Sequence, residues 1–385
     1  MQGILPPVCE KVNEVNSYRH CGTNPVGRGQ NGNDSMSVTT YIVAPNAEPG
    51  GVDASTATAL SPIAFLNYIR PDLDAVEARM NAELGSDVRT VLAVTHHVLN
   101  AGGKRLRPAM VAFAARAVRP DSDRERVAVV GASVEFVHMA TLLHDDVVDN
   151  TATRRGKPTA NAVFGNGVAV LSGDYLLARA MRMLTLNGDL RILRTVSEIT
   201  VEMSEGEVLE IGATGKADLP MAEYLEILRK KTAAFVEGCC RCGAILAGAD
   251  ECLETALASY GYRLGMAFQI ADDLLDYTGD PVITGKPRGS DLRDGRATLP
   301  FLLGLSSATA GERKCLLAAF GNAALDDAGL CAVSAILTRY DAFDRTRAVA
   351  RDHVEQAAAA LDLLPPSTAR DCFAALTDYV ILRDR

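Results

Sequence analysis

Met139-Ala-Thr-Leu-Leu-His-Asp-Asp-Val-Val-Asp149 and Met266-Ala-Phe-Gln-Ile-Ala-Asp-Asp-Leu-Leu-Asp276 decide the reading of this chain. Both are apolar runs that end in the pattern Asp-Asp-x-x-Asp. At 100° per residue, positions i and i+4 fall about 40° apart, so Asp145 shares a helix face with Asp149, and Asp272 with Asp276. Carboxylates a few ångströms apart repel by roughly 4 kcal/mol at an effective dielectric of ~20. One such cluster reads most simply as a solvated helix end. Two of them, each inside an otherwise apolar helix, call for a counter-charge. A hard divalent cation with oxygen ligands is the natural one, and Mg²⁺ takes one or two carboxylates and completes its shell with water and phosphate.

Outward from these helices, the composition is that of a globular protein: 385 residues, 48% hydrophobic and 23% charged. A net charge of −9, with no dense Lys/Arg cluster, argues against a nucleic-acid partner. The nine cysteines are odd in number and irregularly spaced, which predicts no disulfide framework and a reducing, cytoplasmic setting. Cys239-Cys240-x-Cys242 has no matching Cys/His pair and reads as packed small side chains. No run of eighteen residues lacks a charge, so no transmembrane segment is expected.

Residues 1–58 are rich in Gly, Asn, Pro, Ser and Thr without helical periodicity, and predict a disordered extension, with Met36 as an alternative start. The acidic residues Glu10, Glu14 and Asp34 fit a targeting peptide poorly. Residues 59–385 read as one all-α domain. Helical spacing or Pro-poor apolar sequence predicts helices over 125–149, 167–187, 190–211, 221–248 and 253–277, and again from 301 to 382 with short breaks. Convincing strand alternation is absent. Gly165-x-Gly167 and Gly285-Lys286 both fail as nucleotide phosphate loops, the first for want of a third glycine, the second because Pro287 stands where Ser or Thr is required.

Basic segments accompany the acidic ones. Gly102-Gly-Lys-Arg-Leu-Arg-Pro108 puts three cations in four residues before an apolar helix. Arg154-Arg155 follows the first acidic cluster, Lys230-Lys231-Thr232 sits within 221–248, and Lys286, Arg288, Arg293 and Arg296 follow the second. Arg offers a planar fork to phosphate and Lys a point charge. Acid-held divalent ions ringed by such segments describe a site for two polyphosphorylated substrates.

In these residues the chain resembles the trans-prenyltransferases, the all-trans polyprenyl diphosphate synthases. The resemblance rests on Gly102–Pro108, Leu143–Asp149 with Arg154-Arg-Gly156, Lys231-Thr-Ala, Phe268–Asp276, and Gly285-Lys286 through Leu299-Pro300, in the family's order and approximate spacing. It implies a large antiparallel helix bundle around a deep central cavity, normally a homodimer. It further implies condensation of isopentenyl diphosphate with an allylic diphosphate by ionisation, condensation and elimination, with up to three Mg²⁺ ions. Asp145, Asp149 and Asp272 would hold metal, with Asp146, Asp273 and Asp276 in support. Arg154, Lys231 and Lys286 would neutralise the allylic diphosphate. Lys104, Arg107 and Arg155, helped by His138, would bind isopentenyl diphosphate. The carbonyl near Lys231, the Thr232 hydroxyl and the Gln269 oxygen would face the carbocation. Arg296 departs from the Lys usual in the family ahead of Thr-Leu-Pro, keeping charge but not geometry.

In this family the residues four and five before the first aspartate line the wall down which the product grows. Here they are Thr141 and Ala140, with Val137 a turn deeper, all short of aromatic bulk. A long product, octaprenyl to decaprenyl diphosphate for a quinone side chain, is the expectation, with transient membrane contact for its release. The alternatives are a short-chain farnesyl or geranylgeranyl diphosphate synthase, and a non-catalytic partner subunit, which would typically lack one aspartate cluster. A class I terpene cyclase would not need Gly102–Pro108.

Overall fold

The computed structural model describes residues 64–154, 156–279 and 287–382. The extension at 1–58 and the two basic residues Arg155 and Lys286 lie outside them. In chain order the helices begin with α1 (Arg70–Glu83), α2 (Arg89–Asn100), α3 (Leu106–Val118) and α4 (Arg124–Val148). A two-residue-per-strand hairpin follows, β1 (Thr153–Arg154) and β2 (Lys157–Pro158), with Thr153 opposite Pro158. Then come α5 (Ala160–Phe164), α6 (Asn166–Asn187), α7 (Leu190–Ala213) and α8 (Met221–Leu228). A π turn, Arg229–Ala233, joins α8 to α9 (Ala234–Ala247), and α10 (Glu251–Thr278) follows. The remainder is α11 (Ser290–Arg293), α12 (Leu299–Ser307), α13 (Ala310–Ala319), α14 (Asp327–Arg339), α15 (Ala342–Ala360) and α16 (Thr368–Leu382).

The two aspartate-bearing helices are the long ones, and each is started by an aspartate cap. The Asp123 side chain accepts from the amides of Glu125 and Arg126, and Asp250 accepts from Leu253. Such caps satisfy donors that the first helical turn leaves unpaired. α4 packs against α1, α3 and α6, α9 lies between α3 and α10, and α10 packs on α15. Val127, Val130, Val134, Phe136, Val137 and Leu143 of α4 are fully buried. At about 2 kcal/mol for each such side chain, they contribute on the order of 10 kcal/mol of gross burial, most of it offset by chain entropy. α4 is long and apolar enough to cross a membrane, yet 72% of its apolar window is buried inside the fold, which marks it as a core helix.

The all-α expectation holds, with two local differences. The hairpin after α4 is too short to leave an alternating pattern. The segment 221–248, continuous by sequence, is interrupted at Arg229–Ala233. Gly206 of α7 and Gly265 of α10 approach that interruption closely: a Cβ at Gly206 would lie 2.7 Å from the Lys231 amide nitrogen, and one at Gly265 would lie 2.7 Å from the Ala233 Cα. The three cysteines 239, 240 and 242 are buried and free in the core, as their packing reading expects.

Far from the aspartates, α1 and α3 are joined by a buried ion pair. Arg116 donates to Asp72 through Nη2 (2.5 Å) and Nε (3.1 Å), and its Nη1 donates to the carbonyls of Pro120 and Ser122, both at 2.7 Å. Arg124 Nε also reaches Asp72 Oδ1 at 3.3 Å, but from an exposed side chain, so removing Arg116 leaves the buried carboxylate poorly compensated. Arg116→Met is expected to cost about 3 kcal/mol, read as a lower urea midpoint at unchanged slope. Adding Asp72→Leu should recover much of that loss.

Candidate active site

A cavity of about 510 Å³ opens where α3, α4, α7, the π turn, α10 and the loop before α12 meet. Asp145 and Asp149 line it from α4, and Asp272, Asp273 and Asp276 line it from α10. The two clusters therefore share one cavity, as their repetition in sequence led us to expect. Glu210 and Asp291 add to them, while Arg107, Arg154, Lys231, Arg288 and Arg296 supply positive charge. Seven acids against five cations leave a charge of −2 among these described lining residues if all are ionised.

The six aspartates are not equivalent. Asp146 is buried and accepts from Arg154 through Nε and Nη2, each at 2.9 Å. Asp273 is buried too and accepts from the Tyr224 hydroxyl (2.7 Å) and from Gln269 Nε2 (3.0 Å). Asp276 accepts the backbone amides of Ser290 (3.0 Å) and Asp291 (3.2 Å), which fixes the start of α11. Asp149 pairs with Arg296 at 3.1 Å. Among the described residues no such side-chain partner fixes Asp145: burial and then the Glu207 charge push its carboxyl up to about 7, with Lys231 pulling the other way.

Lys231 sits on the π turn and is clamped between two glutamates of α7, Glu207 at 2.8 Å and Glu210. Burial alone would depress its ammonium, but the two carboxylates outweigh that and hold it above the usual lysine range. A π turn widens the backbone and leaves carbonyls without their normal helical donors, a feature common at functional sites. Next to Lys231, the Thr232 hydroxyl donates to Gln269 Oε1 at 3.1 Å. Lys231, Thr232 and Gln269 thus occupy one wall of the cavity.

The Gly102–Pro108 segment is divided by its own geometry. Arg105 takes a left-handed backbone, φ 50°, and its guanidinium turns inward to the buried Glu135 at 2.8 Å. That leaves Arg107 on the cavity wall, 5.4 Å above the Phe235 ring. His138 meets the same ring edge-on at 6.3 Å. Lys104, by contrast, reaches the Tyr379 hydroxyl at 3.2 Å and does not line the cavity. His144 turns to α6, where Nε2 meets the Val170 carbonyl at 3.1 Å. Thr141 is half-buried, Ala140 and Val137 are buried in the core, and none of the three lines the cavity.

Glu207, Glu210, Tyr224 and the Arg105–Glu135 pair are absent from the sequence reading. A signal for Glu207 and Glu210 lies in the adjacent Gly206, where the absence of a side chain allows the close approach of the π turn. The site fits a divalent cation. Its donors are hard oxygens, its lining charge is negative, and burial with the neighbouring acids raises the Asp145 carboxyl, an effect a nearby cation would oppose. Among the described residues no three acidic, His or Cys side chains cage an ion by themselves, which suits an ion that shares its shell with substrate phosphate.

Residues 88–336 match the polyprenyl synthetase family. The chain is 38% identical over 319 residues to the octaprenyl diphosphate synthase of Escherichia coli (strain K12), covering 82% of this chain and 96% of that one. It is also similar to the solved decaprenyl diphosphate synthase from Rhodobacter capsulatus: TM-score 0.79, 36% identity, 84% of this chain and 100% of that one. A polyprenyl synthase from Caulobacter crescentus CB15, complexed with calcium and isoprenyl diphosphate, matches at TM-score 0.78 and 35% identity, over 85% and 99% of the two chains.

The elevated Asp145 carboxyl has a pH consequence in metal-free protein. Its folded pKa, about 7, lies above the unfolded value of 3.8. The folded state therefore holds an extra proton between the two, and the charged carboxylate destabilises the fold above pH 7. That penalty fades as pH falls through 7 toward 4. Asp145→Asn should raise the melting temperature in chelator at pH 8, with the gain shrinking by pH 5. Thermal melts across that range check it.

Proposed function

We infer the activity from one premise: the chain belongs to the polyprenyl synthetase family. It is a chain-elongating prenyltransferase, a polyprenyl diphosphate synthase that uses a divalent metal. The reaction we propose joins isopentenyl diphosphate to an allylic diphosphate by ionisation, condensation and elimination. The observation that carries it is the single cavity on which both aspartate clusters, Arg107, Lys231, Thr232 and Gln269 meet.

The residues divide the work by charge. Lys231, Arg154 and Arg296 favour departing pyrophosphate at the acidic mouth, Lys231 by exchanging its glutamate clamp for phosphate oxygens. The bound divalent ion, which we propose to be Mg²⁺ and up to three in number, supplies further neutralisation of that leaving group. Asp145, Asp149 and Asp272 would hold it, with Asp276 in support through α11. Arg107 and His138 flank Phe235 and would position the diphosphate of isopentenyl diphosphate, joined by Lys104 and Arg155, while Lys286 would join Lys231 and Arg154 at the allylic diphosphate. The Thr232 hydroxyl and Gln269 Oε1 turn oxygen dipoles to the allylic carbon, where positive charge develops. Apolar side chains below exclude the water that would quench it.

We propose a long product, octaprenyl to decaprenyl diphosphate, as the precursor of a quinone side chain. The small residues Ala140 and Thr141 support it, as do the names of the relatives above. Val137 and Ala140 are buried in the ligand-free protein, so the proposed path of the growing chain past them requires α4 and its neighbours to separate. A homodimer is the proposed assembly. The exposed apolar residues Leu171 and Leu186 on α6 and Val201 and Val208 on α7, each more than half exposed, give it a surface. We place the enzyme in the cytoplasm, on the odd and irregular cysteine pattern, with transient membrane contact as product leaves.

Two experiments test this reading. Incubation with labelled isopentenyl diphosphate and an allylic primer should give long all-trans products, abolished by chelator and restored by Mg²⁺; full turnover in excess chelator would refute the metal role. Ala140→Phe should shift the product toward farnesyl or geranylgeranyl diphosphate, read by chromatography. Wild-type protein that stops at those short products would overturn the long-chain assignment and move the floor to another helix.

A further inference from the structure

Gln269 presents a problem that its neighbours resolve. A side-chain amide is nearly symmetric in shape, and its two ends carry opposite polarity. A developing carbocation is stabilised by the oxygen and repelled by the NH₂, so an unrestrained Gln269 would spend part of its time reversed. The Thr232 hydroxyl does not decide the matter, because it can donate or accept.

The decision is made by two neighbours on the same cavity wall, Asp273 and Tyr224. Gln269 Nε2 donates to Asp273 Oδ1 at 3.0 Å, one turn along α10. Asp273 Oδ2 accepts from the Tyr224 hydroxyl at 2.7 Å, a buried contact from α8. Tyr224 is 3% exposed, and its oxygen in turn receives the backbone amide of Leu299 at the start of α12. With its lone pair engaged by that amide, the hydroxyl proton points to Asp273. Donor and acceptor are thereby fixed in order along the row Leu299, Tyr224, Asp273, Gln269, Thr232. The row ends with Gln269 Oε1 toward Thr232 and the cavity.

We infer that Tyr224 is a positioning residue for the condensation: it orients the Asp273 carboxylate so that Gln269 presents oxygen, not NH₂, to the reacting carbon. The inference rests on the reading of this cavity as the condensation site. Tyr224 also lines the cavity, and in this role it acts through Asp273, to which its hydroxyl donates.

The test is a double-mutant cycle of Tyr224→Phe with Gln269→Ala in the full chain with Mg²⁺. Tyr224→Phe keeps the ring and removes the hydroxyl. In the native background it should lower kcat by about 10- to 100-fold, with KM for both diphosphates and the half-saturating Mg²⁺ concentration within about 3-fold. In the Gln269→Ala background it should change kcat by less than about 3-fold, because no amide remains to be oriented. Equal losses in both backgrounds, no loss in either, or a loss expressed in KM or Mg²⁺ affinity overturns the positioning role. If Tyr224→Phe does not fold, 3-fluorotyrosine at 224 keeps ring and hydroxyl but alters its donor strength. A kcat change confined to the Gln269 background then supports the role, and an equal change or none in both refutes it. Absence of condensation by wild-type protein would sink the functional reading itself, a result separate from every outcome of the cycle.

Discussion

Unbalanced charge in a half-buried cavity is the constraint on which this structure turns. Acidic side chains from α4, α7, α10 and α11 are brought together by helices whose cores are otherwise apolar. Each like-charge pair costs the fold stability, and the protein tolerates the cost by distributing cations among the acids: Arg154 to Asp146, Arg296 to Asp149, Lys231 to Glu207 and Glu210. These pairs are exchangeable. A diphosphate offers the cations better geometry than a carboxylate does, while a divalent ion offers the freed carboxylates a partner. Ligand-free balance and ligand binding thus draw on the same groups.

The fold was legible where local and global demands agree. α4 and α10 each combine an Asp cap, a long apolar face and a terminal acidic cluster, and the helices appear within a residue or two of their expected ends. The interruption at Arg229–Ala233 was not legible. Nothing in Arg-Lys-Lys-Thr-Ala disfavours an ordinary α-helix; the widened turn is set by neighbours on α7 and α10, which local propensity does not register. The hairpin after α4 escaped because two-residue strands have no period to detect.

Of the residues singled out in sequence, five of the six aspartates and Arg107, Arg154, Lys231 and Arg296 line one cavity, while Asp146 and Lys104 do not; their arrangement was less legible. Arg105 and Arg107 are the same residue type two positions apart, yet one is buried against Glu135 and the other faces the cavity. That difference depends on a left-handed backbone at Arg105, which sequence did not reveal at a non-glycine residue. Lys104 reaches the last helix, α16, a partner 275 positions away. Tyr224 was not singled out in sequence, because its importance lies in one hydroxyl proton rather than in its ring.

The π turn also sets what kind of change this region accepts. It holds one residue more than an α-helix of the same rise, so it acts as a phase adjuster between α8 and α9. Deleting a single residue there would let the segment run as plain α-helix with α8 and α9 keeping their relative phase, whereas a deletion inside α8 or α9 would rotate the two against each other by about 100°. In that case the face now carrying Tyr224, Ile227 and Leu228 inward would swing away, and its polar neighbours Glu223 and Glu226 would turn toward the core. The segment can therefore shed a residue only at the turn, and only by giving up the widened backbone beside Lys231.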